Sequence, residues 1–195
     1  MLRPRRAPGF TLIELMITIV VLAILTLLTV PNLSTWMANS RVRSVGEALQ
    51  NALRQAQGEA VSRGRQTVFV LTAATPALNA TPSANAAHWY LQTLPLTDAE
   101  ETNGTFLRGE QIASTQSVSI TGNAVLCFNS LGRLVSNTAT GLGASCTLPD
   151  AYVTYDLSAV GADRPLRVEA YLGGRVRLCD PAKTLSSTQP DGCAT

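Results

Sequence analysis

Histidine is almost missing from this sequence: His88 is the only one, and it sits in a strand-like stretch beside Trp89 and Tyr90. One histidine leaves little from which to build an acid–base or nucleophile–base pair. None of the G-x-S-x-G, H-E-x-x-H or P-loop spacings occurs either. Catalysis is not expected, and His88 reads as a structural or exposed residue. Lysine is as scarce, with one against fourteen arginines. A genomic composition bias gives such a ratio, and so does recognition of phosphate or carboxylate by the rigid guanidinium fork. No pair among the four cysteines has the close C-x-x-C spacing of zinc ribbons, so neither a metal nor a cofactor is expected. There is no internal repeat.

A strong net charge is also lacking. The 195 residues carry a formal +2, and beyond Arg3, Arg5 and Arg6 twelve basic side chains face thirteen acidic ones, a net −1. Polyanion binding depends on how many basic groups meet phosphates, so here it requires a local cluster. The length leaves room for one domain of about 100–150 residues plus an appendage.

The appendage is visible at the start. The chain opens MLRPRRAPG, continues FTLIELMITIVVLAILTLLTV and reaches Pro31. Three arginines ahead of an apolar run hold that end in the cytoplasm. The 21 residues from Phe10 to Val30 span about 31 Å as a helix at ~1.5 Å per residue, the thickness of a hydrocarbon core. The run is too long for a secretory h-region and no A-x-A site follows it. Within it stands Glu14, and a carboxylate there costs about 2.5–3.5 kcal/mol on insertion scales, which marks a function and a partner.

These residues resemble the type IV prepilin signature: Gly9 before Phe10, with Glu14 fifth after the cut. The resemblance implies that a prepilin peptidase cleaves after Gly9 on the cytoplasmic side and methylates the new amine of Phe10. It also implies that Glu14 meets that amine on a neighbouring subunit during assembly. A buried carboxylate is tolerable when a cation compensates it. Pro31 falls where many pilin helices bend. Trp36 and Met37 follow, placed either near lipid head groups or against another subunit.

Beyond Pro31, Val42, Val45, Leu49, Ala52, Leu53, Ala56 and Ala60 recur at spacings of three and four, the stripe of an amphipathic helix packed on a sheet. The helix is expected to run to about Ser62, with Gly64 as its stop. Strands are expected over 66–72, 88–94, 117–121, 124–128 and 151–157, forming antiparallel sheet. Residues 73–87, rich in Ala, Thr, Pro and Asn, read as a solvated loop. Asn79 and Asn103 fit the glycosylation acceptor pattern but read as ordinary loop residues of a bacterial protein.

CFNSLGRLV at 127–135 and GRVRLCDP at 174–181 resemble the GspH/FimT/FimU branch of minor pilins and pseudopilins. The fold this implies is α+β, type IV pilin-like: one long N-terminal helix packed on antiparallel sheets. Leu166–Leu172, Gly173-Gly174 and Arg175–Cys179 read as a C-terminal hairpin with a two-residue turn that has positive φ at both glycines. Strand alternation puts Arg175 and Arg177 on one face, about 7 Å apart. FimT-type minor pilins that take part in DNA uptake carry a G-R-x-R motif near the C-terminus, which Gly174-Arg175-Val176-Arg177 matches. Arg164, Arg167 and Lys183 add possible outer contacts, with Glu169 and Asp180 as possible internal partners. On this reading the duplex is bound without sequence preference, and changing both motif arginines to glutamine removes binding with the fold intact.

All four cysteines follow the membrane segment, as in a protein exported to an oxidising periplasm. Of three possible connectivities, Cys127–Cys146 with Cys179–Cys193 closes the most compact loops. The expected organisation is a leader over 1–9, a transmembrane and filament-core helix over 10–30, its amphipathic half over 31–63 and a β-rich exported domain over 64–195. The expected partners are prepilin peptidase, other pilins or pseudopilins, the bacterial inner membrane and duplex DNA. A filament subunit of a type IV pilus serving natural transformation fits this pattern, and so does the H-type pseudopilin of a type II secretion system.

Overall fold

A computed structural model describes residues 9–95, 104–112, 117–149 and 151–194, and side chains 27–32 also lie outside the described set. Helix α1 runs over Leu12–Arg63. Thr11 caps its start, accepting the Glu14 N–H at 3.3 Å. Gly64, at φ 62°, closes its end by donating to the carbonyls of Ala60 and Val61. The helical backbone continues through Pro31. The second-half stripe from Val42 to Ala60 is buried as the spacing requires, whereas Phe10, Leu12, Ile13, Leu15 and Met16 are exposed. A helix that presents this much apolar surface needs a second solvent or other subunits to cover it. Among the described residues no helix is long and apolar enough to cross a membrane. The expected span over 10–30 includes side chains outside that set.

Among the described residues ten strands follow: β1 Thr67–Thr72, β2 His88–Thr93, β3 Phe106–Glu110, β4 Val118–Gly122, β5 Val125–Phe128, β6 Leu134–Val135, β7 Tyr152–Ala159, β8 Leu166–Tyr171, β9 Val176–Thr184 and β10 Gly192–Cys193. They form two sheets, ordered β3-β2-β1-β5-β6 and β10-β9-β8-β7-β4. One face of each packs on α1 in a shared core that includes Leu49, Leu53, Phe69, Trp89, Tyr155 and Val168. Gly46 lets the helix approach closely, since a Cβ there would stand 2.9 Å from Leu178.

The expected helix on antiparallel sheets is present, and three details go beyond it. Strand β10 joins β9 in parallel, the one exception among the strand pairs of the described residues; two residues are too short a run to show in the sequence. Strand β3 has the sequence FLRGE, whose glycine and charges hide the pattern. The loop over 73–87 is not merely solvated. It folds onto the far face of the first sheet, where Tyr90 Oη donates to Ala80 O (2.6 Å) and Gln92 Nε2 to Asn79 Oδ1 (2.8 Å). Asn103 lies outside the described residues.

Two disulfides pin segments over the outer faces: Cys127–Cys146 on the first sheet and Cys179–Cys193 on the second. These are the pairs expected from loop length.

Candidate functional site

The β8–β9 hairpin carries the motif, and its turn differs from the expected one. Gly174 N–H donates to Tyr171 O (2.8 Å) and Tyr171 N–H to Arg175 O (2.9 Å), so three residues, Leu172 to Gly174, form the loop. Of the two glycines only Gly174 has positive φ, 91°. This is the three-residue hairpin in which a left-handed glycine makes a bulge. Space also requires a glycine here, because a Cβ on Gly174 would lie 2.2 Å from both Gly132 O and Gln57 Nε2.

Arg175 and Arg177 do share the outer face, but their surroundings differ. Arg175 is exposed and lies over the Tyr171 ring, 4.2 Å from its centroid. Stacking orients the guanidinium on the ring. Arg177 is 16% exposed and lies beneath the C-terminal tail, 4.0 Å from Glu169 Oε2. Its Nη2 donates to Pro190 O (3.0 Å) and Gly192 O (2.6 Å). The fully buried Glu169 accepts from Tyr171 Oη (2.8 Å) and from Ala194 N–H (2.8 Å). Arg177 and Glu169 thus clasp the tail, and replacing Arg177 cannot leave the fold untouched as expected.

The remaining basic residues do not gather. Arg167 pairs with Asp156 (2.6 Å), and that hydrogen bond raises its pKa. Lys183 pairs with Asp191 and lies 3.6 Å from Asp180. Its pKa is raised, and that of Asp191 lowered, chiefly by their mutual hydrogen bond. Arg164 sits in the β7–β8 loop, where Asn39 Oδ1 accepts the N–H groups of Asp163 and Arg164 at 3.1 Å, at the end of β8 opposite to Arg175. Two arginines from elsewhere reach the hairpin end instead. Arg54 Nη2 donates to Val176 O (3.1 Å), and exposed Arg133 lines a cleft with Leu172 and Gly173. The sequence holds no local signal for either, since 122 and 42 residues separate them from Val176 and Arg175.

His88 is part of the fold, its Nδ1 accepting the Ile112 N–H at 3.2 Å. Glu169, Cys179 and Cys193 lie within ligand distance of one another. Both sulfurs belong to the disulfide, so the trio is not a metal site. At the other end of the molecule, Gly9 and Phe10 are exposed ahead of the helix, and Glu14 is exposed in its first turn. Residues 1–8 of the expected leader lie outside the described set.

Residues 46–188 match the type II transport protein GspH family, and residues 4–30 match the prokaryotic N-terminal methylation motif. The chain belongs to the GspH family. Its fold is type IV pilin-like: it resembles the type IV minor pilin FimU of Pseudomonas aeruginosa at a TM-score of 0.50 and 17% identity, over 79% of this chain and 96% of that one. The minor pseudopilin EpsH of the Vibrio cholerae type 2 secretion system is similar at a TM-score of 0.43 and 15% identity, over 73% and 99%. No curated protein sequence matches the chain. As a GspH-family protein it is a minor pilin or pseudopilin, a structural class rather than a family of enzymes.

Proposed function

We propose that this GspH-family protein is a FimT/FimU-like minor pilin that supports pilus assembly and binds duplex DNA without sequence preference for uptake in natural transformation. Residues 1–9 are its leader, 10–30 anchor it in the inner membrane and later line the filament core, and 64–195 form the exported domain. Cleavage after Gly9 frees the Phe10 amine, and Glu14 supplies the carboxylate that pairs with it across subunits. The observation that carries the DNA reading is Arg175: exposed, stacked on Tyr171 and without a carboxylate partner among the described residues. Phosphate contacts hold no base information, so affinity falls with salt and not with sequence.

Two measurements test this. Glu14→Ala is expected to be inserted and processed but not incorporated into filaments, and efficient incorporation would remove Glu14 from assembly. The detergent-solubilised chain is expected to shift random-sequence duplex at low salt, with log affinity against log salt falling at a slope near −3 for about three phosphates at roughly 0.9 each. Arg175→Gln is the clean variant, because Arg177 also holds the tail. Wild-type protein that fails to bind would leave the second reading, a purely structural H-type pseudopilin. That reading is favoured by the acidic partners that already occupy Arg167, Arg177 and Lys183.

A further inference from the structure

We infer that the surface meeting the nucleic-acid backbone does not run down β9 toward Lys183 but crosses from the second sheet to the first, with Arg133 and Arg54 beside Arg175. The inference rests on the DNA-binding reading and assigns that site its residues. Its basis is the contact between two turns that are distant in sequence. Leu134 N–H donates to Leu172 O at 3.0 Å, joining β6 to the hairpin loop. Gln57 Nε2 donates to Gly132 O at 2.9 Å, and Gly132 O lies so near Gly174 that a methyl group would not fit between them. The residues that follow these two glycines are Arg133 and Arg175, both exposed. From the helix side Arg54, also exposed, reaches the carbonyl of Val176, the residue after Arg175. Between the turns opens a shallow cleft of about 300 Å³ lined by Asn129, Arg133, Leu172 and Gly173 among others.

Charge decides which arginines are available. Among the described residues Arg43, Arg63, Arg167, Arg177 and Lys183 each have a carboxylate within ion-pair distance, whereas Arg54, Arg133 and Arg175 have none. A cation already neutralised by its own protein releases fewer counterions from a polyphosphate. Arg41, Arg108 and Arg164 have no ion pair among the described residues either, but only Arg54, Arg133 and Arg175 are brought to the hairpin end. They come from α1, the β5–β6 turn and the β8–β9 turn, three rigid supports that meet at one end of the domain. A duplex offers phosphates at a spacing of about 3.4 Å of axis per strand, close enough for a cluster of this kind to take several.

The test uses the full-length chain in detergent micelles and a fluorescent random-sequence duplex, with anisotropy followed across a salt series. Arg133→Gln is expected to weaken binding several-fold and to reduce the magnitude of the salt slope by about 0.9, one phosphate contact. Arg133→Lys should restore most of both, because a point charge satisfies phosphate. Lys183→Gln and Arg167→Gln should match the wild type. Hydrogen exchange at the 185–194 tail, unchanged in Arg133→Gln, excludes a folding explanation. If the wild type binds and Arg133→Gln binds equally well, or if Lys183→Gln shows the larger loss, this placement is wrong while the DNA reading stands. If the wild type does not bind at low salt, both fall together.

Discussion

The two sheets hide their outer faces by the same device and opposite chemistry. On the first sheet Val68, Val70, Tyr90, Val125 and the Cys127–Cys146 bridge pack under loop residues such as Ala80, Leu142 and Ala144. On the second, Glu169, Tyr171 and Arg177 meet a tail that contributes carbonyls and an N–H but few apolar side chains. Apolar cover is non-directional and degrades gradually when atoms are removed. A buried polar clasp is held by directed bonds, and losing one partner strands the others. One outer face is thus a second small core. The other is a latch beside the exposed Arg175.

Glu169→Ala should give the largest effect. It leaves the Tyr171 hydroxyl and the Ala194 N–H without their acceptor and Arg177 without its countercharge, and breaking such a buried pair costs about 3–5 kcal/mol. Urea unfolding of the detergent-solubilised protein measures it, and a loss below about 1 kcal/mol would mean that water replaces the carboxylate. Val70→Ala on the apolar face should cost less, about 1–2 kcal/mol at roughly 0.8 kcal/mol per buried methylene.

Removing either disulfide, by Cys127→Ser with Cys146→Ser or Cys179→Ser with Cys193→Ser, is expected to lower stability by about 3 kcal/mol on the chain-entropy model. The separations of 19 and 14 residues are too similar to distinguish them. Local behaviour should distinguish them. Without Cys179–Cys193, amide exchange over 185–194 should rise sharply. Without Cys127–Cys146, residues 136–148 should keep most of their protection through Leu142 and Ala144. Equal loss of protection in both segments would break the contrast.

Alkali should attack the apolar face and the core. Burial pushes the Tyr90 hydroxyl up to about 12 from 10.0, and Tyr155, whose hydroxyl is buried without a partner among the described residues, also up. A folded pKa above the unfolded one means that the native state favours the neutral phenol. This stabilisation is complete below about pH 10 and is lost as pH rises toward 12. For Tyr90 the loss is about 2–3 kcal/mol at 1.36 kcal/mol per unit. Tyr90→Phe should flatten the stability profile over that interval, although it also removes the bond to Ala80.

The smallest effect belongs to neither face. The exposed Arg43–Glu47 pair on α1 should contribute at most about 0.5 kcal/mol. An Arg43→Ala loss above 1 kcal/mol would mean that this pair does more than decorate a solvated helix.

Periodicity makes much of the fold legible in the sequence. The helix stripe from Val42 to Ala60, the Gly64 stop and the strands around Phe69, Trp89 and Tyr155 follow from local spacing and composition, because an amphipathic element records in its own sequence which face it buries. The G-F-T-L-I-E-L run and the cysteine positions are likewise local, and so was the pairing of cysteines across short loops. The roles of the arginines were not legible. Arg175 and Arg177 are two residues apart and look equivalent, yet one faces solvent over Tyr171 and the other lies under a tail that returns to it from Pro190 and Gly192. Arg133 and Arg54 became neighbours of Arg175 only through the contacts of Gly132 with Gly174 and of Arg54 with Val176. Whether a cation is free or neutralised depends on partners brought from distant positions by chain folding, and charge, unlike hydrophobic periodicity, leaves no repeating trace along the chain to announce them.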